Sequence, residues 1–424
     1  MSAEIHDVII IGTGPAGLGA AYELIEARPS LKILMVDKGR ICSGGLLNDC
    51  KQNYTFPIGF AEDYWRKNQA EEILDKVENH LRPEILPTSH LETYQRRAAR
   101  IDVNIFPVRQ AHVGTDQSKN LIHRLLARLE ELGVVIRLGV EVADLRERDA
   151  DAAVVIDGKE IRARKLIVAP GRKGFSFLQG IMEKLAISYV DNIVDVGIRL
   201  ETRQERYPIV ADYYDPKIYF PDNVRTFCTN SGHALVIREK YQDFHLINGH
   251  ALSKRQTGNN LVNLALLKTI HLKDPVRSGQ QMAVYLGRLA NEIGGGQPLM
   301  QRVGDFRMGK RSNEKTFNRD LYDFPPTCPV TAGDLGLAVP ARIMRHLWTA
   351  MKKLDTIVPG ILHPSTIMYY PEIKMYANKP VFLDDYFRVS RHLYMIGDGA
   401  GTSRGITGAW ASGIRAARGV LRGI

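Results

Sequence analysis

The chain has 424 residues, 44% of them hydrophobic and 25% charged, with a formal net charge of +10. Such a length exceeds one ordinary core, so two domains are expected, and the composition is that of a soluble globular protein with no apolar run near a membrane span of about 20 residues. The positive charge suits an anionic small molecule or a solvated face, and no nucleic-acid motif accompanies the basic clusters at Arg96–Arg100, Arg307–Arg311 and Arg404–Arg422; neither nucleic acid nor membrane is expected as a partner.

Val8 to Ile11 form an apolar, β-branched run of the kind buried on both faces of a parallel sheet, leading straight into Gly12-Thr13-Gly14-Pro15-Ala16-Gly17. In such a strand, turn and helix start, Gly12 permits the turn, Gly14 lets a pyrophosphate approach the backbone and Gly17 lets the helix lie close to the sheet. The helix opens at Pro15 and Ala16, with its free N–H groups toward the phosphates. A second apolar run, Ile33 to Val36, ends in Asp37, about twenty residues beyond the last glycine, where an acid takes the ribose hydroxyls of an adenosine. A dinucleotide is expected here, and these residues alone leave FAD and NAD open. The N-terminus is a core strand rather than a basic, cleavable leader, which predicts a cytoplasmic protein.

Lys38 to Lys51 form a polar, glycine-bearing loop beside the ligand crevice of an open α/β sheet, and Lys38, Arg40, Ser43 and the amides of Gly44 and Gly45 are expected cofactor contacts. Cys42, Cys50, Cys228 and Cys328 have neither metal-ligand spacing nor a disulfide pattern, so buried thiols and no metal site are expected. The segment 61–81 is charged and helix-patterned, and Pro83 and Pro87 end the helical pattern beyond it. From Asn120 an amphipathic helix runs to Gly133, and 134–145 is strand-like. Asp157-Gly158 between two apolar runs is a hairpin signal, and the strand Lys165 to Ala169 ends at a second glycine turn, Pro170-Gly171-Arg172. Between Ser176 and about Tyr386 the βα alternation is lost and short apolar runs alternate with polar turns, predicting a mixed sheet with helices. A last strand, Arg391 to Ile396, runs into Gly397-Asp398-Gly399-Ala400-Gly401 and the helix Ile406 to Leu421. Asp398 is expected to accept from polyol hydroxyls, and the helix start at Gly405 and Ile406 to stabilise negative charge.

The first-strand GxGxxG, the central strand ending in a glycine turn and the final strand ending in GDGAG together resemble the FAD-binding oxidoreductases of the glutathione-reductase type. The resemblance implies FAD as cofactor, with NADH or NADPH as an optional, transient reductant. It implies that Asp398 meets the ribityl chain and that the Ala400 to Gly405 amides approach the pyrimidine side of the isoalloxazine. HVGTD at His112 to Asp116, DVGIRLE at Asp195 to Glu201, RTFC at Arg225 to Cys228, LINGH at Leu246 to His250, QRVGDF at Gln301 to Phe306 and PEIK at Pro371 to Lys374 narrow the likeness. With these, the chain resembles the largely uncharacterised FAD-dependent, or NAD(FAD)-utilising, dehydrogenases, whose SGG…DGK loop is matched by Ser43-Gly44-Gly45 and Asp49-Cys50-Lys51. Where that group follows TFC with a second cysteine, a proline and two glycines, this chain has Thr229 to His233, so cysteine chemistry is not carried over.

The expected fold is therefore α/β: a Rossmann-like FAD-binding domain of glutathione-reductase type (1–59, 101–175 and 388–424), a helical insertion (60–100) and an inserted α+β substrate or lid domain (176–387). The expected function is a flavin oxidoreductase, a dehydrogenase or reductase, passing a hydride between flavin and a small, anionic organic substrate. Two alternatives stay open. A flavin monooxygenase using NAD(P)H is opposed by the APGR ending of the central strand. A non-enzymatic binding protein like the Rab GDP-dissociation inhibitors is opposed by Asp37 and the GDGAG turn. Acid/base candidates are few: Arg404, Lys51, His233 and His250, with Asp49 in the cofactor loop. Asp305 and Arg307 read as a surface pair.

Overall fold

The computed structural model describes residues 5–40, 54–253, 258–317, 322–375 and 378–424. The chain divides into two compact units, one made of Met1–Ile85, Val108–Asp191 and Tyr376–Ile424, the other of Leu86–Pro107 and Asn192–Met375.

In chain order the first unit contains β1 (His6–Ile11), α1 (Pro15–Ala27), β2 (Ile33–Asp37), α2 (Lys67–Leu81), α3 (Ser118–Glu131), β3 (Val135–Leu138), β4 (Val142–Glu147), β5 (Ala152–Ile156), β6 (Lys159–Val168), α4 (Phe175–Lys184), β7 (Leu393–Met395) and α5 (Ile406–Arg422). The sheet runs β3-β2-β1-β6-β5-β4, with β7 also beside β6. β1 lies parallel between β2 and β6, with Ile11 opposite Val36 and Val168. The length of β6 lets one strand serve two neighbours on its other side: residues 159–163 pair antiparallel with β5, and residues 166–168 pair parallel with β7. The β5–β6 hairpin turns at Asp157 and Gly158, both at positive φ (50° and 72°), the geometry that matches strand twist and that the Asp-Gly pair predicts.

Because successive strand residues point to opposite faces, β1 and β2 feed two cores. Val8, Ile10, Ile33 and Met35 join α1, α2, α3 and α5 on one face. Ile9, Ile11, Leu34 and Val36 join α4 and the β4–β5 ribbon on the other. The small residues of α5 have a packing cause: a Cβ at Gly413 would stand 2.1 Å from the Ala16 carbonyl oxygen, and one at Gly19 would stand 2.3 Å from that of Trp410, so α1 and α5 cross at backbone distance.

All four expected domain boundaries move. α2 is no separate insertion, because Ile73, Leu74, Val77 and Leu81 bury into the first unit's core. Leu91–Ala99 and the strand Asn104–Phe106 belong instead to the second unit, the strand as the edge of its sheet. Residues up to Asp191 and those after Met375 return to the first unit, since Leu178, Ile181 and Met182 of α4 cover one sheet face and Phe387 enters the core of the other.

The second unit has the α+β character expected. Its eight-stranded sheet runs Thr331–Ala332, Leu299–Arg302, Ile367–Met375, Ile193–Arg203, Leu261–His271, Val224–Asn230, Lys217–Phe220, Asn104–Phe106, antiparallel except at the first pair. The hairpin Ala234–Tyr241/Phe244–Ala251 and the helices Gly279–Ile293 and Ala341–Ile357 complete it.

Candidate functional site

Three glycine turns meet at the carboxyl ends of β1, β6 and β7, the position at which open parallel sheets bind ligands. Gly12 has φ +102°, and a Cβ there would lie 2.2 Å from the Ala169 carbonyl oxygen, so the first turn rests on the end of β6. A Cβ at Gly17 would lie 1.9 Å from the Gly12 carbonyl oxygen, which fixes α1 against the turn. The third turn touches both others: a Cβ at Gly397 would be 3.0 Å from Ala16 Cβ, and one at Gly399 would be 2.6 Å from the Gly171 carbonyl oxygen.

Two helices begin at this junction, each without a side-chain cap: α1, with Gly14 as N-cap and Pro15 following, and α5, with Gly405 as N-cap. First-turn N–H groups left without capping side chains, together with the helix dipole, favour anionic groups. Two carboxylates flank them. Asp37 Oδ2 accepts from the Thr13 amide (2.8 Å) and hydroxyl (2.9 Å), while Oδ1 accepts from the Gly39 amide (2.8 Å), which leaves acceptor capacity on Oδ1 for a hydroxyl. Asp398 Oδ1 accepts from Ser403 Oγ (2.9 Å) and Oδ2 from the Gly405 amide (3.1 Å). Both acids thus hold their own turns as well as facing the junction. A dinucleotide fits this arrangement. Among the described residues a Cβ at Gly171 or Gly405 would meet nothing within 4 Å, and the acids and helix starts supply acceptors for hydroxyls and donors for phosphates.

Gly12, Gly14, Pro15, Ala16, Gly17, Asp37, Gly171, Gly397, Asp398, Gly399, Gly405 and Ile406 all fall at or beside this junction. Lys38 and Arg40 are exposed, and Ser43, Gly44, Gly45, Asp49 and Lys51 lie outside the described residues. Arg404 is exposed, its amide donating to the Gly59 carbonyl at 2.8 Å. His233 and His250 belong to the second unit, His250 standing opposite Leu235 in the hairpin. Sequence reasoning missed Thr13, whose signal was a hydroxyl between the first two glycines.

Four short motifs of the resemblance converge inside the second unit. The wholly buried Arg199 donates from Nε to Glu372 Oε2 (2.8 Å), from Nη2 to Glu372 Oε1 (3.1 Å), and from Nη1 to Asn263 Oδ1 (2.7 Å) and the Cys228 carbonyl (3.0 Å). Cys228 presents that carbonyl from φ +54°, at an irregularity in pairing between Phe227 and Asn230. Gly249 covers the guanidinium, where a Cβ would stand 2.2 Å from Nη1. Burial would push the Glu372 carboxyl up, but Arg199, with Lys374 at 2.9 Å, outweighs it and holds the group at about 2. Cys228 and Cys328 are buried thiols, as expected, and burial pushes Cys328 up to about 12. Asp305 is not a surface partner of Arg307: it is buried and accepts from Ser312 Oγ (2.6 Å) and the Tyr322 hydroxyl (3.4 Å).

Glu201 lies two residues along the same strand, wholly buried, accepting from the hydroxyls of Thr327 and Tyr369. Burial dominates those hydrogen bonds and pushes its carboxyl up to about 7. The native state then keeps a proton that the unfolded chain has released, so this group's contribution to stability falls as pH rises from the ordinary glutamate range to about 7. Glu201→Gln is expected to remove that slope, at most roughly 1.4 kcal/mol per pH unit, in denaturant melts between pH 5 and 7. Equal slopes in variant and wild type would refute it.

Among the described residues no helix is long and apolar enough to cross a membrane, and no group of His, Cys, Asp and Glu is arranged to hold a metal. No family model matches the chain. It is 23% identical over 455 residues to an uncharacterized protein of Clostridium beijerinckii, covering 97% of this chain and 80% of that protein. Solved structures similar to it include a flavoprotein/dehydrogenase from Cytophaga hutchinsonii (14% identity, TM-score 0.42, 99% of this chain and 78% of that one). CtdE in complex with FAD is another (14% identity, TM-score 0.37, 99% and 84%).

Proposed function

We propose that the chain is an FAD-dependent oxidoreductase, a dehydrogenase or reductase acting on a small, anionic organic substrate, with the first unit as its flavin-binding domain of glutathione-reductase type. The observation that carries the reading is the junction of three glycine turns with two uncapped helix starts and two carboxylates. A nicotinamide dinucleotide alone calls for only the first turn and Asp37, whereas the turn at Gly397 to Gly405 is explained by a longer ligand that continues past the pyrophosphate. On this reading the α1 start holds the pyrophosphate, Asp37 the ribose and Asp398 the polyol chain, while the α5 start stabilises negative charge on the ring. Bound flavin supplies the two-electron chemistry, and the protein supplies orientation and the exclusion of water. The net charge of +10 supports an anionic substrate, and the second unit is the candidate for its recognition. We place the protein in the cytoplasm, with a small molecule rather than nucleic acid or membrane as its partner.

The test is an absorption spectrum of the purified protein, followed by anaerobic NADH or NADPH in the same cuvette. Flavin bands are expected, and their bleaching would establish a nicotinamide-driven reductase; bands that persist would assign the reducing role to the organic substrate. A colourless protein that takes up no added FAD would overturn the reading and revive the non-enzymatic alternative.

A further inference from the structure

Gly397, Gly401 and Gly405 all have positive φ (80°, 71° and 81°), so the loop between β7 and α5 is intrinsically permissive and must be held by bonds from elsewhere. Bonds within the loop set its shape: the Gly397 amide donates to Thr402 Oγ1 (2.8 Å) and Ser403 Oγ to Asp398 (2.9 Å). Beyond its contacts with the other two glycine turns, a strap from residues 59–65 holds it against the rest of the unit. The Gly59 carbonyl accepts from the Arg404 amide (2.8 Å), Phe60 forms an antiparallel bridge with Ser403, and the Trp65 indole Nε1–H donates to the Thr402 carbonyl (2.8 Å). The last bond is buried, and Thr402 is wholly inaccessible, so water cannot replace the indole. Trp65 is itself fixed, with Phe60 edge-on at 5.1 Å and the Arg415 guanidinium 4.9 Å from the ring centre, while Arg415 Nη1 donates to the Tyr64 carbonyl (2.6 Å).

We propose that Trp65 is a positioning residue for the flavin site: its indole N–H fixes the loop from Gly397 to Gly405 against the rest of the unit, and thereby places Asp398 and the start of α5 for the cofactor. This rests on the FAD reading above. It gives the segment around Trp65 a role that its sequence pattern does not disclose.

The experiment is FAD titration of the apoprotein, followed by quenching of flavin fluorescence, alongside thermal melts. Trp65→Phe is expected to raise the Kd for FAD by about tenfold, because a loop no longer held in place must be ordered as the cofactor binds. Trp410→Phe is the control, since among the described residues that buried indole nitrogen has no hydrogen-bond partner and its loss costs packing. It should lower Tm while leaving Kd within about twofold. Should Trp65→Phe fail to fold, 3-benzothienylalanine at position 65 keeps the bicyclic ring and removes only the N–H donor, and carries the same expectation. Unchanged Kd in the Trp65 variant, or an equal rise in both variants, overturns the positioning role while leaving FAD in place. A wild-type protein that binds no FAD overturns the cofactor reading itself and this role with it.

Discussion

Glu372→Gln is expected to destabilise the second unit by about 3–5 kcal/mol, because it leaves the Arg199 guanidinium charged, wholly buried and without its counter-ion. The substitution barely changes volume, so the loss reports charge and not packing. Arg199 cannot escape by releasing its proton, since arginine stays ionised throughout the accessible pH range. The double variant Arg199→Met/Glu372→Leu removes the pair and should recover part of the loss, the remainder being the cost to Lys374, which loses Glu372 at 2.9 Å. Denaturant melts of the wild type, the single variant and the double variant decide the matter: a single variant within about 1 kcal/mol of wild type would mean that water reaches the pair. The pH dependence has a definite sign. With the native carboxyl held at about 2, the pair's contribution is complete above the ordinary glutamate range and is lost as pH falls toward 2. That is opposite to Glu201, two residues from Arg199 on the same strand, where burial has no adjacent cation to oppose it as strongly.

The parts of the fold legible in the sequence were those written in short stretches. The turn at Gly12 to Gly17, the Asp157-Gly158 hairpin and the turn at Gly397 to Gly401 each state their geometry within a few residues, because positive φ and close backbone approach restrict the residue types allowed. What was illegible depended on partners far along the chain. The apolar stripe of α2 names no partner, and that partner, α5, is the last helix. The bond from Trp65 to Thr402 spans 337 positions, and the Arg199–Glu372 pair spans 173. DVGIRLE, LINGH, RTFC and PEIK marked a resemblance as strings; folded, they supply the arginine, its glycine cover, a carbonyl acceptor and the counter-ion of one network. That network accounts for Arg199, Gly249 and Glu372 within those motifs by burial.

Gly14→Val should yield a folded protein that binds no flavin, whereas Gly17→Val should not fold. The first unit's glycines differ in what constrains them. At Gly17 a Cβ would fall 1.9 Å from the Gly12 carbonyl oxygen, and at Gly12, with φ +102°, a Cβ would fall 2.2 Å from that of Ala169; both are backbone atoms that cannot yield without displacing β1, β6 or α1. Gly14 is different. Its φ is −73° and its ψ −180°, an extended conformation open to any L-residue, and it is only partly buried. Its backbone geometry does not demand glycine, and on the FAD reading its identity answers to the pyrophosphate that must approach the start of α1. The expected result for Gly14→Val is a near-native melt with flavin absorption lost and FAD titration without saturation. Asp398→Ala should weaken FAD less, and should lower Tm as well, because that carboxylate also ties Ser403 and the Gly405 amide into the loop. Full flavin occupancy in Gly14→Val would move the dinucleotide away from the first turn, whatever the fold around it.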